Sequence, residues 1–389
     1  MATIAPTALY MIMAGMLIAG TFNTIILKLQ NGMSTSFEEP PTDVVDDDGN
    51  EMRDFEEFNH PFFQGLIMFL GELTCMAVYR LMLWKEKKDL GGDLSRSPAL
   101  KEAQEQGLKT SINPFLLAIP AMCDLCASTL MFVALTMVAA SVYQMMRGLI
   151  VFITAMMSII FLKKRLHRHH WTALVLIIGG IVLVGVASLS GDSGDTKALG
   201  IILLIVSQLM AGTMFIVEEK LLGDYYLHPL KVVGWEGFWG VLMYLILLTV
   251  FQFIPCHGDF SSGWCPPPRG GLFENSIFAF HQMFNNIWIF VLSLGTICSI
   301  ACFNSFGIAT TKYGSAAQRA TIDTSRTVLI WLFFLIVPTS SKEEFSFVQL
   351  GGFILLVIGT LLYNEIVVLP ILGFGNNTAA AKSRRLKGD

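Results

Sequence analysis

The chain has 389 residues, of which 53% are hydrophobic and only 14% are charged, and its formal net charge is -4. Soluble globular proteins carry about 25% charged residues. The composition therefore excludes an ordinary soluble enzyme or binding domain and indicates a polytopic membrane protein, in agreement with a mean hydropathy of +0.60.

We predict ten membrane-spanning helices, because apolar segments of roughly 20 residues, enough to cross ~30 Å of hydrocarbon, recur along the chain. In chain order they cover residues 9–29, 61–82, 115–138, 139–162, 171–189, 198–222, 232–254, 287–310, 315–337 and 345–369. The first segment lacks the basic start and small-residue cleavage site of a secretory signal, so it is predicted to be retained as a helix.

Basic residues are distributed unevenly between the predicted loops. With a cytosolic N-terminus, seventeen Lys and Arg residues fall on the cytosolic side and four on the opposite side. The positive-inside rule then predicts that both termini are cytosolic. The basic segment KKRLHRHH at 163–170 becomes a short cytosolic loop rather than a nucleic-acid-binding patch, and residues 80–113 form a longer basic cytosolic loop.

Two loops on the opposite side differ in composition. Residues 30–60 are acidic and lack an apolar period, which predicts a solvated disordered loop, with a cation-binding loop as the alternative. Residues 255–286 carry Cys256 and Cys265, and in an oxidising lumen this pair is predicted to form a disulfide. Thiols within the spans are expected to pack as small apolar groups. No metal site and no cofactor are predicted.

The sequence contains an internal repeat. QMMRGLIVFITAM aligns with DTSRTVLIWLFFL and places Arg147 on Arg326, and an Ala-Gly-Thr triplet at 19–21 recurs at 211–213. A His-Pro pair near the start of the second span recurs near the start of the seventh. Because the matches keep the same order in both halves, we interpret the halves as one duplicated five-helix unit.

Five is an odd number, so the second unit enters the membrane from the opposite side. The predicted fold is all-α, with ten transmembrane helices in an inverted 5+5 repeat: a first unit at 1–189, a second at 190–370 and a cytosolic tail at 371–389. Inverted repeats are the architecture of secondary transporters, whose substrate site lies near the midplane between the two units.

Ionisable residues inside the spans point to a cavity. Each costs about 2.5–3.5 kcal/mol to insert and therefore usually faces water or a partner. Gln144 and Arg147, like Asp323 and Arg326, are three residues apart and share a helical face. The candidate substrate or cavity residues are Glu72, Asp124, Gln144, Arg147, Glu218, Glu236, Asn304, Asp323 and Arg326.

A structural role stays open for these charges. Arg147 with Asp124, or Arg326 with Asp323, could form a fixed salt bridge that locks the helices. Glu72 and Asp124 could instead be carboxylates that couple transport to protons. The residue types alone do not choose between these alternatives.

Several strings resemble a known family. They are NHPFFQGLIMFLGEL, AMCDLCASTLMFVAL, ASVYQMMRG, VEEKLLGDYYLHPLKVVGWEG and IDTSRTVLIW. Together they resemble the drug/metabolite transporter superfamily, with its EamA-type and chloroquine-resistance-transporter-like members, and more narrowly the F-type branch of solute carrier family 35. The resemblance implies a multi-pass transporter of an endomembrane, either of the lysosome or vacuole or of the Golgi.

The same resemblance implies an arrangement of the helices. The first four and the sixth to ninth would surround the cavity. The fifth and tenth would pack outside and, in some relatives, form a dimer interface, so the chain is expected to be a monomer or a homodimer. The loop at 255–286 would contain a short amphipathic helix.

We therefore predict a secondary transporter of a small organic solute rather than an enzyme, since the chain has no GxSxG or HExxH motif. Its predicted partners are the solute and the lipid bilayer, with no nucleic acid. Acids outnumber bases in the spans, which favours a cationic or zwitterionic solute, with proton coupling as an option. A nucleotide-sugar transporter and a non-transporting scaffold or adaptor of the same fold are the alternatives.

Overall fold

The computed structural model describes residues 4–36, 55–58, 60–93, 97–135, 146–189, 198–255, 272–337 and 346–368, together with residue 378. Most of these residues lie in α-helices. The helices are α1 (Pro6–Asn31), α2 (Pro61–Asp89), α3 (Pro98–Glu105), α4 (Ala118–Leu135), α5 (Leu149–Leu162), α6 (Arg168–Leu189), α7 (Ala198–Asp224), α8 (Pro229–Phe251), α9 (Ser276–Asn285), α10 (Ile287–Tyr313), α11 (Ala316–Ile336) and α12 (Phe347–Tyr363).

Each of the ten predicted spans contains one of these helices in its described residues. Among the described residues, six helical segments are long and apolar enough to cross a membrane: α1, α2, the segment Pro114–Met131 that includes most of α4, α7, α8 and α10. Helices α5, α6 and α12 are shorter apolar helices. The chain is therefore a polytopic, helical membrane protein.

Local sequence signals explain where several helices begin. Proline occupies the first turn of α1, α2 and α8. Its fixed φ suits a helix, and the N–H group that it lacks would have had no partner within the helix at this position. The side chain of Ser315 accepts a hydrogen bond from Gln318 N and caps α11. This cap sets the start of the helix that carries Arg326 and Asp323.

The helices pack in pairs that join the first half of the chain to the second. The most extensive contacts are α6 with α12, α2 with α8, α1 with α10 and α4 with α7. Helix α5 also packs on α7, and α1 packs on α11. The two halves are consequently interleaved, and the space between them is bounded by helices from both.

Close approach of α2 and α8 depends on glycines on one face of α8. A Cβ atom at Gly234, Gly237 or Gly240 would overlap backbone or side-chain atoms of α2. The missing side chains therefore let the two backbones approach more closely than larger residues allow. This contact brings Glu72 of α2 and Glu236 of α8 to the same region of the interior.

A short antiparallel strand pair was not predicted. Strand β1 (Ser34–Ser36) pairs with β2 (Phe55–Glu57), within the loop for which the acidic composition predicted disorder. At the two ends of the loop that prediction is wrong, because Phe58 is buried against α2 and α9 and its N–H donates to Met33 O over 2.8 Å. The middle of the loop lies outside the described residues.

Other predictions also fall outside the part of the chain that the structure describes. They concern Gln144, the junction between the third and fourth spans at 138–139, and the disulfide between Cys256 and Cys265. The loop at 255–286 contains α9, at the place where the family resemblance implied a short helix.

Candidate functional site

A cavity of about 290 Å³ lies in the interior between the two halves of the chain. Side chains from α1, α2, α4, α7, α8, α10 and α11 line it, together with Arg147 and Ile150 at the start of α5. No described residue of α6 or α12 takes part. The cavity therefore has the set of walls that the family resemblance implied.

The residues singled out from the sequence come together around this cavity. Gln144 lies outside the described residues, and the other candidates all line the cavity wall. They are Glu72, Asp124, Arg147, Glu218, Glu236, Asn304, Asp323 and Arg326. Their position makes them a candidate site, while their part in binding or transport stays a prediction.

Arg319 is a cavity residue that the sequence analysis missed. Its guanidinium forms an ion pair with the Glu218 carboxylate, with exposed fractions of 3% and 1%, and lies 4.3 Å from the centre of the Phe215 ring. Arg319, Asp323 and Arg326 are spaced i, i+4, i+7 on α11, so they share one helical face. That spacing was the signal that could have found Arg319.

A second ion pair lies within α11. Arg326 Nη1 is 3.3 Å from Asp323 Oδ1, and the guanidinium lies 5.0 Å from the centre of the Phe303 ring on α10. A Cβ atom at Gly20 of α1 would overlap the Phe303 ring, so the glycine gives this ring and Arg326 their space. Of the two salt bridges considered from the sequence, the one between Asp323 and Arg326 is present.

The acids on α2, α4 and α8 have few partners. Glu72 accepts a hydrogen bond from Asn304 Nδ2 over 2.6 Å, and Asp124 accepts a weak one from Ser128 Oγ at 3.4 Å. Within the described residues, Oε1 of Glu236 is buried and has no hydrogen-bond donor. A buried carboxylate oxygen of this kind needs water, a proton or a ligand to satisfy it.

Arg147 differs from the other arginines of the cavity. It lies two residues before α5, is half-buried and faces the cavity. It forms no ion pair with any described residue, so the Arg147–Asp124 bridge considered from the sequence is absent from this part of the chain. Within the described residues, Arg147 is therefore a charged donor that faces the interior space without an ion-pair partner.

Polar contacts join three segments at the end of the molecule where α11 begins. Lys164, in the loop after α5, pairs with the Glu219 carboxylate of α7. The other Glu219 oxygen accepts a hydrogen bond from Ala316 N, in the first turn of α11, over 3.0 Å. The two adjacent acids of α7 therefore have different partners. Glu218 pairs with Arg319 at the cavity, whereas Glu219 connects α7 to the loop after α5 and to the first turn of α11.

The other end of the molecule has its own buried network. His60, before α2, lies 2.6 Å from Glu274 Oε1 and 3.0 Å from Gln282 Oε1. Gln64 donates to Gln30 over 3.0 Å, and Gln30 donates to Ser293 over 2.8 Å. Each of these two polar networks joins segments from both halves.

Interleaved helices around a charged interior cavity are typical of membrane solute transporters. Comparison with known proteins then gives the family. The chain belongs to solute carrier family 35. It is 37% identical over 321 residues to "Solute carrier family 35 member F6" of Homo sapiens, covering 81% of each chain. It is 34% identical over 384 residues to the protein of that name from Rattus norvegicus, covering 96% of this chain and 94% of that one.

Two further comparisons concern part of the sequence and the fold. A family model described as "Nucleotide-sugar transporter" matches residues 53–245. A protein of known crystal structure shares the fold with a TM-score of 0.55 at 12% identity, over 92% of this chain and 97% of that one. The family resemblance found in the sequence is confirmed, and the chain is a multi-pass membrane carrier that acts on a small solute.

Proposed function

We propose that the chain is a secondary transporter that moves a small cationic or zwitterionic organic solute across an internal membrane by alternating access. The observation that carries the proposal is the cavity itself, an interior space with eight carboxyl and guanidinium side chains drawn from both halves of the chain. A scaffold or adaptor that had lost transport would need no such space, and burying these charges would be costly to it.

The ten-helix inverted repeat is part of the proposal. Exchanging the first five spans for the second five turns the α1–α10 contact into α7–α4, and the α5–α7 contact into α11–α1, and all four contacts occur. The α2–α8 and α6–α12 contacts map onto themselves. This reciprocity is what a pseudo-twofold axis between units 1–189 and 190–370 requires, and it supports the exchange of two equivalent conformations.

The charge of the cavity supports the substrate class. Five carboxyl groups and three guanidinium groups line it, and two of the guanidinium groups are already paired with carboxylates. Glu72, Asp124 and Glu236 are left to compensate a positive group on the solute or to carry protons. Arg147 is left for a carboxylate or another anionic group, which suits a zwitterion.

A nucleotide-sugar transporter is the second candidate. The family model over residues 53–245 favours it, as do the arginines, since guanidinium groups bind phosphates well. The excess of carboxylates argues against a solute with several negative charges. The proposal also includes the location and state of the protein. It resides in a lysosomal, vacuolar or Golgi membrane with both termini in the cytosol, is a monomer or a homodimer, and catalyses no reaction.

Flux measurements test the proposal. Purified protein is first screened by thermal shift against amines, amino acids, short peptides and nucleotide sugars, because a ligand of the folded state raises the Tm. Compounds that raise it are then assayed for uptake into proteoliposomes, with and without a pH gradient. Uptake of cationic or zwitterionic compounds supports the proposal. Uptake confined to nucleotide sugars supports the second candidate, and a ligand that binds without any flux would favour the scaffold.

A further inference from the structure

Three potential metal ligands meet where α6 begins and α12 ends. His169 and His170 lie in the first turn of α6, and Glu365 follows α12 by two residues. One ligand atom from each residue lies within 4.8 Å of the others. His169 Nε2 is 3.2 Å from Glu365 Oε1, and the rings of His169 and His170 have their centres 4.0 Å apart. The separation of 3.2 Å between His169 Nε2 and Glu365 Oε1 is close to that between two ligand atoms of one zinc ion, roughly 3.3 Å for bonds of about 2.0 Å at a tetrahedral angle.

We propose that His169, His170 and Glu365 form a binding site for a divalent transition-metal ion, with Zn²⁺ as the best fit. Two imidazole nitrogens and one carboxylate oxygen are ligands that zinc binds in proteins, and a tetrahedral ion keeps one position for water. Calcium and magnesium prefer sites made wholly of oxygen ligands. The site is separate from the cavity, since none of its three residues lines that space.

The backbone conformation at Glu365 is unusual for its residue type. Its φ of 56° lies in the left-handed region, which at the end of a helix is usually occupied by Gly or Asn. A carboxylate there also lies at the C-terminal end of α12, which is the negative end of the helix dipole. Strain and charge both oppose glutamate at this position, and a bound cation removes the electrostatic part of that opposition.

Metal binding requires small local changes. His170 Nδ1 accepts a long hydrogen bond of 3.3 Å from His167 N. Ligation through Nε2 puts the proton on Nδ1, so the metal bond replaces this weak contact. Ligation by His169 likewise replaces its hydrogen bond to Glu365 with a shared bond to the cation. The three ligand atoms already lie within 4.8 Å of one another.

The location gives the site a consequence for the whole molecule. A metal ion there joins the start of α6 to the end of α12, and Tyr10 Oη of α1 donates to Glu365 O over 3.5 Å. The site also follows Lys164, the partner of Glu219, by only a few residues along the chain. Bound zinc would therefore brace the same end of the molecule at which the Lys164–Glu219 contact lies.

Zinc titration of the purified full-length chain tests the proposal, with an affinity tag that contains no histidine. Micromolar Zn²⁺ should raise the Tm by about 3 °C when the site is saturated, and Mg²⁺ at the same concentration should not. Glu365→Gln and His170→Gln should each weaken the effect at least about tenfold in apparent Kd. The matched control is His281→Gln, since His281 is an exposed histidine on α9, away from the site.

Cobalt absorption provides a second measurement that does not depend on the variants being stable. Co²⁺ bound to the unaltered chain should give the visible spectrum of a tetrahedral site, and added Zn²⁺ should abolish it. The proposal is overturned if Zn²⁺ leaves both the Tm and the cobalt spectrum unchanged. It is equally overturned if folded Glu365→Gln and His170→Gln respond to Zn²⁺ as strongly as the His281→Gln control does.

Discussion

Glu218 of α7 and Arg319 of α11 form an ion pair from which solvent is almost completely excluded, with exposed fractions of 1% and 3%. The pair connects two helices of the second half, about 100 residues apart in the chain, at the wall of the cavity. Removing one partner of such a pair leaves an uncompensated buried charge, whereas removing both charges together leaves none.

We expect Arg319→Ala to lower the free energy of unfolding by about 3–5 kcal/mol, because Glu218 would stay buried without its partner. The double variant Glu218→Gln with Arg319→Gln should recover a large part of that loss. Chemical denaturation in detergent measures both. Equal destabilisation by the single and double variants would mean that the pair contributes through packing and not through charge.

Arg147→Ala should reduce solute uptake by at least about tenfold, which corresponds to roughly 1.4 kcal/mol of lost interaction, and should leave the Tm nearly unchanged. The reason is that Arg147 faces the cavity without an ion-pair partner among the described residues. Uptake into proteoliposomes and a melting curve check the two parts. Arg165→Ala is the matched control, because Arg165 is exposed in the loop after α5. A large fall in Tm would instead assign Arg147 a structural role.

Glu236→Gln should remove or shift the dependence of uptake on an imposed pH gradient, since Glu236 Oε1 is buried at the cavity without a described donor. The amide keeps the size of the side chain and removes its charge. Initial uptake rates at several pH gradients measure the effect, with the exposed Glu105→Gln of α3 as control. Unchanged pH dependence in Glu236→Gln would exclude this carboxylate as the coupling group.

Glu219→Gln should open the end of the molecule where α11 begins. The change removes the ion pair with Lys164 and weakens the hydrogen bond from Ala316 N. A charged acceptor at a helix N-terminus contributes about 0.3–1 kcal/mol, so we expect a modest shift between conformations rather than unfolding. Labelling of a cysteine placed at Met214, in the cavity wall, by a membrane-impermeant thiol reagent should become faster from that side. Lys163→Ala, an exposed neighbour of Lys164, should leave the labelling rate unchanged.

His228, which precedes α8, should make the stability of the protein depend on pH. Burial, followed by the positive charge of Lys312, lowers the pKa of His228 below its usual value of 6.5. Its contribution to stability is therefore complete above pH 6.5 and is lost as the pH falls towards the lowered pKa of the folded state. Melting curves between pH 7.5 and about pH 5 should show this loss, and His228→Asn, which keeps a capping side chain, should reduce it. Exposed His281→Gln serves as the control.

Much of the fold could be predicted because apolar length is a local property of the chain. The spans predicted at 198–222 and 287–310 correspond to α7 (Ala198–Asp224) and α10 (Ile287–Tyr313). The strand pair β1–β2 could not be predicted, because it depends on Phe58 being buried against α2 and α9. A contact between segments that are distant in the chain produces no periodic pattern of apolar residues in the sequence of an acidic loop.

The sequence predicted which residues line the candidate site better than it predicted which of them form ion pairs. A charge in an apolar span is visible in the sequence, which is why seven predicted charged residues, together with Asn304, line the cavity. Arg319 was missed because it lies near the start of its span, where a basic residue could equally face water. His169 and His170 were read as part of a basic loop, since Glu365 is far from them in the chain.

By itself, the sequence determined that the chain is a polytopic membrane protein, which apolar segments are helical and which charges must avoid lipid, because each follows from the cost of exposing particular groups to hydrocarbon. The tertiary structure decided the partners: Arg319 for Glu218, Lys164 for Glu219, and the cavity for Arg147. Those choices depend on how helices that are distant in the chain pack together, and electrostatic pairing acts through space rather than along the chain.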